Sequence, residues 1–306
     1  MLCQPELIQF MSFRLDRLLT LGCFNPLRKA QSGAGQGRLP VLMYHSISDG
    51  SEDNVSPYYR TTTSPRVFAE QMMLLRDEGF RAVSLRQGRE LLRRGRTDAD
   101  KAVAVTFDDG FRDFYSQGFP VLRQHGFSAT MFLPTAFIGN EVCRFKEREC
   151  MTWGEVRELH RAGIEFGSHT VHHPKLYELD FTQIRTELEV SKSVIEEKLG
   201  AAISSFAYPY AFPSADRPFV ETLTGLLKGA GYECNATTRI GRVRVDDDPF
   251  TLKRLPVNSA DDGALLLAKI RGAYDWMNRP QAALKKLKTF AASGRGRTQP
   301  RLCRAP

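Results

Sequence analysis

His169, His172 and His173 put three of the chain's six histidines within five residues, directly before Pro174. They have an upstream counterpart in the run Thr106-Phe107-Asp108-Asp109-Gly110. Two imidazoles four residues apart, His169 and His173, together with a carboxylate from the aspartate pair, can supply three metal ligands. Such a set leaves a coordination position for water or substrate, as hydrolytic metal chemistry requires. The spare carboxylate beside the ligand can take the proton of that water. Taken alone, Asp-Asp-Gly is an ordinary turn, because Asp tolerates and Gly favours positive φ. A lone His-x-x-x-His is often the surface face of a helix. Together the two runs have complementary chemistry and point to a metallohydrolase.

The surrounding elements must bring these runs together. Ala102 to Phe107 is a continuous apolar run, the pattern of a strand buried on both faces, and it ends directly at Asp108. A helical stretch follows through Phe114, Phe119, Val121 and Leu122, then a second buried strand over Ala129 to Leu133. Thr152 reads as an N-cap with Glu155 three residues on, opening a helix through Val156 and Leu159 that stops at Gly163. A short strand from Gly163 to Ser168 then delivers His169. Strand and helix alternate, with the chemistry at the carboxyl ends of strands, which is the grammar of a parallel α/β barrel.

Thr106-Phe107-Asp108-Asp109-Gly110 followed by His169-x-x-x-His173-Pro174 resembles the polysaccharide deacetylases, the NodB-homology enzymes of carbohydrate esterase family 4. The resemblance covers roughly residues 38 to 275. It implies an α/β fold that is a distorted, incomplete (β/α) barrel, and a divalent metal, with zinc expected from the mixed nitrogen and oxygen donors. It implies Asp109, His169 and His173 as ligands and Asp108 as general base, with His172 a supporting or surface group. The family's later Arg-x-Pro-Tyr-Gly motif corresponds here to Phe206-Ala207-Tyr208-Pro209-Tyr210-Ala211. The Pro-Tyr core keeps Tyr210 N–H as an oxyanion donor, but the arginine that tethers the catalytic carboxylate is missing from its place. Arg254, in Leu252-Lys253-Arg254-Leu255-Pro256, is either its substitute from another strand or an ordinary surface arginine.

The family's carboxy-terminal Leu-x-His is also absent, since no histidine follows His173. Near the amino end, Pro40-Val41-Leu42-Met43-Tyr44-His45 resembles the first strand of the circularly permuted branch, which includes poly-N-acetylglucosamine deacetylases. That resemblance implies His45 as general acid, with its pKa held near neutrality by a neighbouring carboxylate. A histidine at a strand end can equally be a hydrogen-bonded structural residue. The implied reaction is hydrolysis of N-acetyl groups from an N-acetylated polysaccharide or oligosaccharide. Two other readings stay open: a deacetylase or deformylase of a lipid-linked sugar, and a silent carbohydrate-binding protein, against which the intact Asp108 argues.

The 306 residues suit one large α/β unit, expected over 38–280, with an amphipathic extension and linker at 1–37 and a basic, largely disordered tail at 281–306. The net charge of +8 resides in the stretch after Trp276, which holds eight Lys and Arg and no acid. The core shows no basic groove with interleaved aromatics, which excludes nucleic acid as the expected partner. Ile8, Met11, Leu15 and Leu18 follow helical spacing with Arg14 and Arg17 on another face, too interrupted by charge to span a bilayer. The basic tail and this extension suggest peripheral contact with anionic lipid, or simply solvated termini. Leu18 to Cys23 is a poor match to a lipoprotein cleavage site. The expected location is therefore cytoplasmic, at or near the inner membrane face, with periplasm or cell envelope as the alternative. The six cysteines show no paired metal or redox spacing, and Cys143 and Cys150 bracket a charged loop that either meets substrate or is a solvated insertion.

Overall fold

The computed structural model describes residues 14–30, 37–50, 52, 55–95, 101–278 and 280. The linker at 31–36, the start of the amphipathic extension and the tail from 281 lie outside the described residues. The strands begin with β1 (Arg38–Leu39), β2 (Val41–Tyr44), β3 (Ser46–Ile47), β4 (Thr62–Thr63), β5 (Arg81–Val83), β6 (Ala102–Phe107) and β7 (Thr130–Leu133). A hairpin of β8 (Arg144–Phe145) and β9 (Arg148–Glu149) follows, then β10 (Glu165–Ser168) and β11 (Ser205–Ala207). The last are β12 (Cys234–Ile240), β13 (Val243–Arg244) and β14 (Leu252–Pro256).

Seven strands in the order β2-β14-β12-β11-β10-β7-β6 form one parallel sheet, and β2 pairs with both β14 and β6, so the sheet closes. This is the expected incomplete barrel, closed with seven strands rather than the usual eight. The short β5 lies outside the ring against β6. All six residues of β6 are buried, as the unbroken apolar run requires of a strand covered on both faces.

Register places the chemistry. Tyr44 pairs with Phe107, so the next residues, His45 and Asp108, emerge side by side at the carboxyl edge. Ser168 pairs with Leu133 and with Phe206, which brings His169 out between the ends of β7 and β11. The helix before β10 spans Trp153–Arg161, and Thr152 and Glu155 form the full capping box read from the sequence. The helical stretch after β6 is split: a π-type turn at Phe114–Gly118 precedes a helix at Phe119–Gln124. Pro120 lies within that second helix's first turn, where its missing N–H costs nothing.

The amino-terminal helix Leu15–Leu19 docks with its charged face inward. Arg14 pairs with Asp261 at 3.1 Å and Arg17 with Asp262, while Phe24 stacks on Trp276 at 4.9 Å. Leu15, Leu18 and Leu27 are left exposed. The expected amphipathic helix is present over its described residues, but its apolar side faces away from the domain.

Candidate active site

Asp108, Asp109, His169 and His173 are all buried, with 2, 2, 2 and 6 % of their surface exposed, at the carboxyl edge of the barrel. The Asp-Asp-Gly run is indeed a turn: Asp109 and Gly110 have φ of 74° and 66°. The turn reading therefore holds, and the same reversal of the backbone carries two buried carboxylates. A side chain at Gly110 would strike Ile138 and Leu133, at 2.9 and 3.1 Å from its Cβ.

His169 and His173 are carried by a loop fixed from several sides. Thr170 and His173 have φ of 72° and 54°, and a β-branched residue at positive φ is strained. Thr135 and Ala136 donate backbone N–H to the carbonyls of Thr170 and Val171, and Thr170 Oγ1 accepts from His173 N–H at 2.9 Å. Glu187 accepts from Val171 and His172 N–H at 2.8 and 3.0 Å. Strain of this kind persists where the surroundings over-determine it and concentrates at functional sites. Among the described residues, the six non-glycine positions with positive φ are Asp109, Lys146, Glu147, Thr170, His173 and Tyr210, all in the turns around this cleft.

The three expected ligands converge. Asp109 Oδ1 lies 3.2 Å from His173 Nε2 and 3.7 Å from His169 Nε2. His169 Nδ1 stands 2.8 Å from the Ala207 carbonyl, which can only accept, so Nδ1 carries the proton and Nε2 turns a lone pair inward. No N–H or O–H donor satisfies the buried Asp109 Oδ1. Two imidazoles and an unsatisfied carboxylate oxygen in mutual contact are a donor set that suits a divalent cation, and among the described residues no other three His, Cys, Asp or Glu side chains converge in this way. His172 does not join them; it is exposed and bonds Glu187 at 2.7 Å.

Arg254 is the tether and not a surface residue. It is 1 % exposed and meets Asp108 through two bonds, Nη1 to Oδ1 at 2.7 Å and Nη2 to Oδ2 at 2.8 Å. Its Nε donates to the Thr237 carbonyl at 3.1 Å, which fixes the plane of the guanidinium. Burial alone would raise the Asp108 pKa, but Arg254, His169 and His45 outweigh it and hold the group ionised below the usual range. Burial likewise acts upward on Asp109, and His173, His45 and Lys146 more than reverse it.

His45 Nε2 stands 3.9 Å from Asp108 Oδ2, the oxygen that Arg254 Nη2 also meets. The expected neighbouring carboxylate is therefore present, but it does not outweigh burial. Burial lowers the pKa of His45, and Asp108 and Asp109 offset only part of that, with Lys146 and Arg254 adding to the lowering. Tyr210 follows β11 at φ 58°, pinned by Thr238 Oγ1, which donates to its carbonyl at 3.0 Å. Its ring packs edge-on against the ring of His173 at 4.6 Å. Lys146, which sequence reasoning left inside a charged loop without a role, reaches Asp109 Oδ2 at 2.9 Å. The only signal for it was that loop's charge between Cys143 and Cys150.

Comparison with known proteins agrees with this geometry. The family model described as polysaccharide deacetylase matches residues 95–228. YxkH of Bacillus subtilis, named for polysaccharide deacetylation, is 29% identical over 237 residues, which is 78% of this chain and 76% of that protein. The poly-beta-1,6-N-acetyl-D-glucosamine N-deacetylase of Escherichia coli is 32% identical over 142 residues, 42% of this chain but 20% of its own length. Among solved structures, IcaB from Ammonifex degensii superposes with a TM-score of 0.63 at 27% identity, over 77% of this chain and 98% of that one.

Proposed function

We propose that this chain, which matches the polysaccharide deacetylase family model over residues 95–228, is a metal-dependent hydrolase removing N-acetyl groups from a β-linked N-acetylglucosamine polymer or oligomer. The observation that carries the metal is the convergence of Asp109, His169 and His173 around an unsatisfied buried carboxylate oxygen. The polymer is suggested by the named activity of the Escherichia coli relative. Zinc suits the mixed donors, and other first-row divalent ions fit the same set.

A divalent ion held by these three residues would supply Lewis acidity to the acetyl carbonyl and the attacking water. The chain's own groups do the rest. Asp108, kept ionised and aimed by Arg254, accepts the proton of the attacking water. Tyr210 N–H has no acceptor among the described residues and is available to the developing oxyanion. His45, beside Asp108, hands a proton to the departing amine. Burial shifts His45 toward its neutral ring.

A second reading concerns the membrane. Leu15, Leu18 and Leu27 are 55, 54 and 62 % exposed on amino-terminal helices anchored by Arg14 and Arg17. That apolar side, with basic residues after Trp276, suits peripheral contact with anionic lipid and a lipid-linked sugar as substrate. Among the described residues no helix is long and apolar enough to cross a membrane. Acetate release from poly-N-acetylglucosamine, chito-oligomers and lipid-linked N-acetyl sugars, measured with and without added metal, decides between these substrates. No release from any of them would sink the proposal.

A further inference from the structure

The hairpin of β8 and β9 projects over the ligand set, and the reaction outlined above gives it no role. Phe145 pairs with Arg148, so Lys146 and Glu147 make up the whole turn, with φ of 49° and 60°. Two-residue turns of that hand are ordinarily built from Asn and Gly. Here two long charged residues take the positions instead, and the surroundings hold them there. At the base, Arg148 donates to Ser46, Ser48 and Thr62, on the segments that follow His45. Asp113 steadies the same segment by accepting from Ser46 Oγ and from Ile47 N–H at 3.0 Å. Backbone bonds from Cys150 to Cys143 and from Met151 to Gly110 close the other end. Phe145 packs between Phe137 at 4.2 Å and His173 at 5.1 Å.

The tip is therefore aimed, and it aims one group. Lys146 Nζ donates to Asp109 Oδ2 at 2.9 Å and lies over the rings of Phe145 and Tyr210, at 4.6 and 5.7 Å. This makes the two oxygens of Asp109 different. Oδ2 is held by an ammonium, whereas Oδ1 has no donor and faces both imidazoles. A carboxylate with one oxygen engaged offers a cation the other.

We infer that Lys146 is a positioning residue that holds Asp109 as a single-oxygen ligand. The inference rests on the metal reading above and adds to it the way the site stays open. Carboxylates that ligate metals depend on such outer partners. Released from Lys146, Asp109 can chelate through both oxygens and occupy a position that water or the acetyl oxygen must take.

Cobalt(II) reports this directly, because its visible absorption is intense in four-coordinate sites and weakens as coordination expands. Metal-stripped wild type, Lys146→Gly and Lys146→Arg are each loaded with one equivalent of Co²⁺. Glycine suits the turn's positive φ, and Lys146→Met removes the charge but keeps the stem if the glycine variant loses its fold. The glycine or methionine variant should keep its cobalt and lose absorption several-fold, and the arginine variant should recover most of it. A wild-type spectrum in the uncharged variant, or an arginine variant no better than glycine, overturns the inference and leaves the metal reading intact. If wild type binds no cobalt, or if His169→Ala binds it at full stoichiometry, the metal reading falls and this inference falls with it.

Discussion

Arg254 and Asp108, 146 residues apart in the chain, meet in a buried two-bond pair at 2.7 and 2.8 Å. The planar guanidinium matches both carboxylate oxygens, and the match fixes the direction in which Asp108 can accept a proton. Removing one member of such a pair strands the other charge in the interior.

Arg254→Ala should therefore destabilise the fold by about 3–5 kcal/mol and also depress turnover, because Asp108 loses its orientation. Arg254→Lys should recover part of the stability and little of the turnover, since lysine cannot present the fork. Denaturant unfolding alongside acetate release reads both. An alanine variant with wild-type stability would show that the pair contributes nothing net.

The adjacent aspartates should separate cleanly. Asp108→Asn is expected to retain metal and lose turnover by about 10²- to 10⁴-fold, the range of a lost general base. Asp109→Asn is expected to lose metal. Metal analysis of the two purified variants checks the assignment, and the opposite pattern reverses the roles.

His45 should matter in proportion to the leaving group. His45→Ala should slow hydrolysis of N-acetyl sugars sharply and leave metal content and hydrolysis of activated aryl acetates nearly intact, since a good leaving group needs no proton. It should also remove the alkaline limb of the pH–rate profile, which is expected below the ordinary histidine range because burial lowers this pKa. Equal losses on both kinds of substrate would make His45 a structural residue.

The metal-free protein should weaken in mild acid. Burial lowers the His169 pKa from 6.5 to about 4. The unfolded chain thus takes up a proton at His169 that the folded chain refuses. Stability from this residue is fully present above pH 6.5 and falls as the pH drops toward 4, by about 3 kcal/mol in total. Thermal melts of stripped protein across that window should show the slope, and His169→Gln should flatten it. A flat wild-type profile contradicts the neutral, buried imidazole.

Contact with lipid should depend on the ends of the chain. The full protein should bind anionic vesicles, less so in high salt as surface charge is screened. A chain reduced to residues 38–275 should bind them weakly. Equal binding by both would assign no role to the exposed leucines or to the basic tail.

Much of the site was legible because its parts are local. The apolar run into Asp108, the Asp-Asp-Gly turn, and the spacing of His169 and His173 before Pro174 are each contained within a few residues. Their chemistry follows from residue type. The capping box at Thr152 and Glu155 and the burial of β6 followed from short-range pattern in the same way. What stayed open was whatever depends on chain segments meeting from afar. Whether Arg254 was surface or tether could be decided only by closure of β2 between β14 and β6, which carries it to Asp108. The same closure sets His45 beside Asp108, yet only the balance of burial against two carboxylates shows that its pKa moves down rather than up. Lys146 was one charge among several in a loop, and its part emerged only once the turn at positive φ aimed it at Asp109. Sequence periodicity encodes which face of an element is buried, whereas the direction of a long side chain and the field around a buried one are set by neighbours that sequence distance conceals.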